Sequence, residues 1–102
     1  MPGGTTPAYR LVYSGSVRGT LVSLGVQAKH LRVVAEFVAD LEALESRLCT
    51  DPLGVGEPAH TFHELRLHVR LVGAPFFYLR FAVDEKRRIV YVIDCVASAR
   101  LG

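Results

Sequence analysis

Residues 64–71 read ELRLHVRL, and every second position carries a group that can hold or move charge: Glu64, Arg66, His68 and Arg70. Side chains at alternate positions of a strand leave on one face, so Leu65, Leu67, Val69 and Leu71 form the apolar side and the charged set forms the other. Arginines bind phosphate in bidentate fashion, and histidine exchanges a proton near neutral pH. A tyrosine can stack on a base or donate its hydroxyl. Cleavage of RNA at a 2′-hydroxyl needs a base, a cation for the crowded phosphate and an acid for the leaving oxygen. His68, Arg80 and Tyr78 supply those three roles in turn, with Arg66 and Arg70 beside them as phosphate ligands. The same row also suits a water-facing sheet surface.

Other chemistry is poorly served. His60 and His63 precede His68 without the spacing of a metal site, and His30 lies elsewhere, so no metal is expected. GVGEP at 54–58 lacks the strand–loop–helix setting of a phosphate-binding glycine motif, and SGS at 14–16 has no nucleophile-elbow context. Cys95 points into the expected core. No cofactor is called for.

The elements that position these residues follow from periodicity. Residues 1–8, MPGGTTPA, read as a flexible leader, and 9–102 as a single domain, since 102 residues suffice for one core and not for two. Half the residues are apolar and 22% are charged, which excludes a disordered chain. The net charge of +2 permits a nucleic-acid partner without requiring one. Cys49 and Cys95 have no zinc spacing and no secretory segment precedes them, which points to the cytoplasm. No apolar run reaches the roughly 18 residues of a membrane span.

Tyr9–Ser14 alternates as a first strand. Ser14 or Ser16 caps a short helix to about Leu24, closed by Gly25. From about Ala28 to Cys49, Leu31, Val34, Phe37, Val38, Leu41, Leu44 and Leu48 recur at helical steps and predict one long helix. Asp51–Phe62 carries two prolines and two glycines and reads as a loop. Three strands follow, at about Glu64–Val72, Phe76–Val83 and Ile89–Val96.

Register comes from parity. A three-residue turn at Gly73–Pro75 sets Leu71 opposite Phe77, Val69 opposite Leu79 and Leu67 opposite Phe81. A five-residue loop at Asp84–Arg88 sets Val83 opposite Ile89 and Phe81 opposite Tyr91. Odd-numbered residues of all three strands then form one apolar face for the helices to cover. Arg66, His68, Arg70, Tyr78, Arg80 and Asp94 share the open face. The expected fold is α+β, of β-α-α-β-β-β order, with an antiparallel sheet and two helices on one side.

This order resembles the RelE/ParE superfamily of toxins of type II toxin–antitoxin systems. The resemblance is carried by YRLVYS at the first strand, the helix exit at Thr50-Asp51-Pro52, and FFYLRFAVDEKRRIVYVIDCV at the last two strands. It implies a prokaryotic origin, a cognate antitoxin protein as partner, and action either on translating messenger RNA at the ribosome as a metal-independent endoribonuclease or on DNA gyrase without catalysis. Arg80 is similar to the family's arginine on the corresponding strand, and Arg66 and Arg70 to its basic residues on the preceding one. The chain ends CVASARLG, so Arg100 stands alone where the family often places a basic residue followed by tyrosine. That departure favours the alternative, a non-catalytic module that is either a gyrase-inhibiting type or a degenerate relative keeping a protein-interaction role, while the His68 and Tyr78 pair favours the endoribonuclease, which is the leading expectation. A homodimer is left open.

Overall fold

A computed structural model describes residues 8–101, so the leader expected at 1–8 lies, apart from Ala8, outside the described residues. The first strand, β1 (Arg10–Tyr13), runs into α1 (Gly15–His30) through Ser14. Ser14 is the N-cap: its hydroxyl accepts from the Val17 amide at 3.3 Å, satisfying a donor that the first turn leaves unpaired.

The helices divide differently from the periodic reading. Gly25 does not end α1; it lies inside it, beside the Phe37 ring. The break falls at 31–33, where Arg32 takes a φ of 60°. Val33 N–H bonds to Ala28 O and Arg32 N–H to Lys29 O, a Schellman closure with arginine in the place glycine usually takes. The second helix, α2 (Val34–Thr50), is therefore shorter than the 28–49 helix expected. Hydrophobic spacing runs through both helices, which is why it hid the turn.

Beyond α2, a 3-10 turn at Pro52–Gly54 leads to β2 (Glu57–Phe62), within the segment expected to be a loop. Pro58 is tolerated because β2 is an edge strand and is interrupted by an irregularity between Pro58 and His60. A second 3-10 turn, His63–Leu65, and Arg66 in the left-handed region (φ 51°) reset the chain into β3 (Leu67–Gly73). Then come β4 (Phe77–Asp84) and β5 (Ile89–Ala97).

The five strands form one sheet in the order β1-β5-β4-β3-β2. β1 adds beside the final strand, parallel to it, with Arg10 opposite Ile89 and Tyr13 opposite Val92. The other pairings are antiparallel, so the sheet is mixed, where an antiparallel four-stranded sheet was expected. The fold is α+β with both helices on one face. Phe77, Leu79, Phe81 and Val83 of β4, with Val90 and Val92 of β5, are buried beneath Val17, Leu24, Phe37, Leu44 and Leu48. Phe37 meets Phe76 and Phe77 edge-on, with ring centroids 6.3 and 5.7 Å apart.

Candidate functional site

The β3–β4 register is shifted by three residues from the expected one, with Leu71 opposite Arg80 and not Phe77, and because the shift is odd it reverses the faces. Gly73 pairs with Tyr78, leaving four residues in the turn, closed by Ala74 N–H to Phe77 O at 2.8 Å. Leu71 lies opposite Arg80, Arg70 opposite Phe81 and His68 opposite Val83. Even-numbered residues of β3 therefore share the helix side with odd-numbered residues of β4. Between β4 and β5, Asp84 pairs with Ile89 across a four-residue loop, Phe81 with Val92, and a bulge then brings Arg80 opposite Asp94.

The expected patch is thus split. Tyr78 and Arg80 stand on the open face, while His68 and Arg70 stand on the helix side, and the combination of His68, Tyr78 and Arg80 as one catalytic group is corrected accordingly. Apolar alternation assigned Leu67, Val69 and Leu71 to the core, yet Leu71 is 49% exposed. The helices pack mainly over β1, β5 and the start of β4. The inner side of β3 faces polar groups instead.

Those groups hold the displaced side chains. Arg70 Nε donates to Val55 O at 2.8 Å, and its terminal nitrogen to Gly56 O at 2.9 Å, tying the segment before β2 onto β3. Gly56 crosses so close to β3, at φ 68°, that a Cβ there would sit 2.0 Å from Leu71 O. His68 Nε2 donates to Glu85 Oε1 at 2.6 Å, and Arg66 lies 3.8 Å from the same carboxylate. Arg100 stacks on the Phe76 ring at 4.6 Å, at the opposite end of β4 from Glu85. The three arginines proposed to bind phosphate, Arg66, Arg70 and Arg100, consequently form no common site.

What the open face does hold is a groove of about 600 Å³ crossing β2 to β5, lined by Glu57, Leu71, Tyr78, Arg80, Asp94 and Val96 among others. Tyr78 is 56% and Val96 58% exposed. The Tyr78 ring lies against Gly73, where a Cβ would approach two ring carbons at 3.2 Å. Arg80 donates to Asp94 Oδ2 at 3.2 Å, so the groove's arginine is answered by a carboxylate of the same surface. Leu71, Tyr78 and Val96 were not singled out as an apolar surface in the sequence because wrong parity put Leu71 in the core. The exposed Tyr78–Arg80 pair was legible.

Titratable groups away from the groove serve the fold. Asp84, buried at the end of β4, accepts from the Arg87 amide at 3.0 Å and the Arg87 guanidinium at 3.1 Å. The Arg87 amide first, and its guanidinium after it, hold this carboxyl below the usual carboxylate range, against the effect of burial. Burial, reinforced by a hydrogen bond from Tyr13 to Glu45, pushes the Tyr13 phenol far above its ordinary range. Burial, and then the Asp94 carboxylate, push the Cys95 thiol up to about 11. Burial raises Cys49 as well. Neither thiol is an activated nucleophile. No group of three or more metal-ligating side chains converges among the described residues. No helix among them is long and apolar enough to cross a membrane.

No protein-family model matches the chain, and neither a curated protein nor a solved structure does.

Proposed function

We propose that the chain is a non-catalytic, toxin-like binding module of RelE/ParE type, acting in the cytoplasm, and that the open face of its sheet is the surface that engages a protein. The observation that carries this reading is the exposed apolar set Leu71, Tyr78 and Val96 grouped around a self-neutralised Arg80–Asp94 pair. Contiguous apolar surface on a folded chain marks an interaction site more often than an accident of packing. An aromatic and an arginine at its centre match the residue types that dominate protein interfaces. A polyanion would have to compete with Asp94 for Arg80, whereas an apolar protein segment would not.

The helix pair on one face of the sheet, between a first strand and three C-terminal antiparallel strands, supports the toxin resemblance, whereas the added edge strand β2 departs from the expected β-α-α-β-β-β order. A cognate antitoxin and DNA gyrase are the partners that resemblance brings. The messenger-RNA endonuclease reading is the weaker one, since its base and its cation stand on opposite faces, each bonded to a carboxylate. Inducible expression, followed by growth, transcript-end mapping and plasmid topoisomer analysis, separates the two. The binding reading requires arrest with altered supercoiling and intact transcripts, relieved by Leu71→Glu. Cut transcripts would replace it with the nuclease reading.

A further inference from the structure

The outer surface of the helix layer is apolar where a solvated surface is charged. Val17, Leu24 and Ala28 are the core row of α1. On its far side Val22 is 69% exposed and Val26 53%. Leu31 in the turn and Val34 and Val38 of α2 are exposed as well. Five large apolar side chains thus lie open along one helical hairpin, on the side of the molecule away from the groove.

Charge is divided between the two helices. α1 carries Arg18 and Lys29 and no carboxylate; α2 carries Glu36, Asp40, Glu42 and Glu45 against Arg47 alone. Glu45 is bound by Tyr13. The helices are neighbours, yet among the described residues none of their charged side chains forms an ion pair. Opposite charge is present on one surface and is not used within the chain.

The spacing gives these features an order. Arg18, Val22 and Val26 follow at four-residue steps on α1, and Val34, Val38 and Glu42 do so on α2, so each trio follows a single ridge. Because a three-residue turn folds α2 back along α1, the valines of both rows lie toward the turn. Arg18 and Glu42 lie toward the far end. A two-fold axis in the plane of this surface, running along the helices, lays α1 of one copy over α2 of another. It brings Val26 level with Val38 of the second copy and Val22 level with its Glu42, with Val34 beside them toward the turn and Arg18 about one helical turn beyond that carboxylate, a span its side chain can cross. By symmetry each contact is made twice, as in an isologous dimer.

We infer that the outer face of the helix hairpin is a homodimer interface, in which the cationic α1 of each copy packs on the anionic α2 of the other around a valine centre. This surface lies opposite the proposed binding groove, so the dimer presents two grooves outward.

Sedimentation equilibrium of the full chain between 1 and 100 μM, about the range that brackets a modest dimer, provides the test. Wild type is expected to dimerise. Val22→Glu should yield a monomer with an unchanged circular-dichroism spectrum and melting temperature, because Val22 is 69% exposed. Arg18→Glu and Glu42→Arg should each weaken the dimer roughly tenfold, since each converts two attractive contacts into repulsive ones. Combined in one chain they should restore it. A wild-type monomer at 100 μM overturns the inference. So does a dimer that survives Val22→Glu, one that is lost to Leu71→Glu on the sheet face, or a double swap no better than the single ones. A monomer that binds anionic phosphatidylglycerol vesicles through the same valines also overturns it and assigns the surface to a lipid bilayer.

Discussion

His68 and Arg80 point to opposite sides of the sheet, His68 across from Val83 and bonded to Glu85, Arg80 across from Leu71 and bonded to Asp94. A single phosphate cannot contact both. His68 is thereby a structural residue, joining β3 to the β4–β5 loop.

The consequence for His68 is measurable. His68→Ala removes one hydrogen bond to a partly buried carboxylate, a loss of about 1 kcal/mol. Urea denaturation should show a midpoint shift of that size with the slope unchanged. Growth arrest on expression should be that of wild type.

Acid sensitivity should trace to Asp84. Its folded carboxyl titrates below the unfolded value of about 3.9, so its contribution is complete above that pH and is lost as pH falls through the depressed folded value. Asp84→Asn should lower stability at pH 7 by about 1–2 kcal/mol, through the lost charge-assisted bonds to Arg87. The difference from wild type should shrink over the acid interval below about pH 4, as pH falls through the depressed folded value. Thermal melts of both proteins across that interval check it.

Gly56 should accept no substitution. Its positive φ and the 2.0 Å approach that a Cβ would make to Leu71 O are both prohibitive without moving the strand that Arg70 fastens. Gly56→Ala should cost more than about 2 kcal/mol, lowering the melting temperature by roughly 10 °C in a domain of this size. Gly19→Ala, on an open helix surface, should stabilise slightly.

Thiol chemistry offers an independent check on burial. With Cys95 titrating at about 11 and Cys49 also raised, the native chain should react slowly with iodoacetamide at pH 8. In 8 M urea, an ordinary unfolding concentration, both cysteines should label quickly. Fast native labelling at Cys95 would mean that β5 is not packed as described.

Much of this architecture could be read from residue types. A serine cap at Ser14 or Ser16, of which Ser14 is the one used, the burial of Phe37, Leu44 and Leu48, and the three C-terminal strands all follow from local chemistry or strong period. The faces of β3 could not be read this way. Alternation there identifies two sides but does not say which one the helices reach. Leu67, Val69 and Leu71 are apolar, yet the inner side of β3 meets the Val55 and Gly56 carbonyls and Glu85, which suit Arg70 and His68. Turn length then decided the register, and Ala74–Phe77 has no residue that distinguishes four positions from three. β2 was hidden by Pro58 and by two glycines, since strand signals weaken at an irregular edge. The candidate site suffered most because it combined residues from β3 and β4 whose relative parity rested on that turn.

The account's central claim is that the open sheet face works by engaging a protein. The most direct measurement is growth after induction of wild type, Leu71→Glu and His68→Ala side by side, with transcript ends mapped in each culture. The claim predicts arrest by wild type and by His68→Ala, relief by Leu71→Glu, and intact transcripts throughout. Cleaved transcripts that disappear in His68→Ala, or arrest that Leu71→Glu leaves untouched, would contradict it.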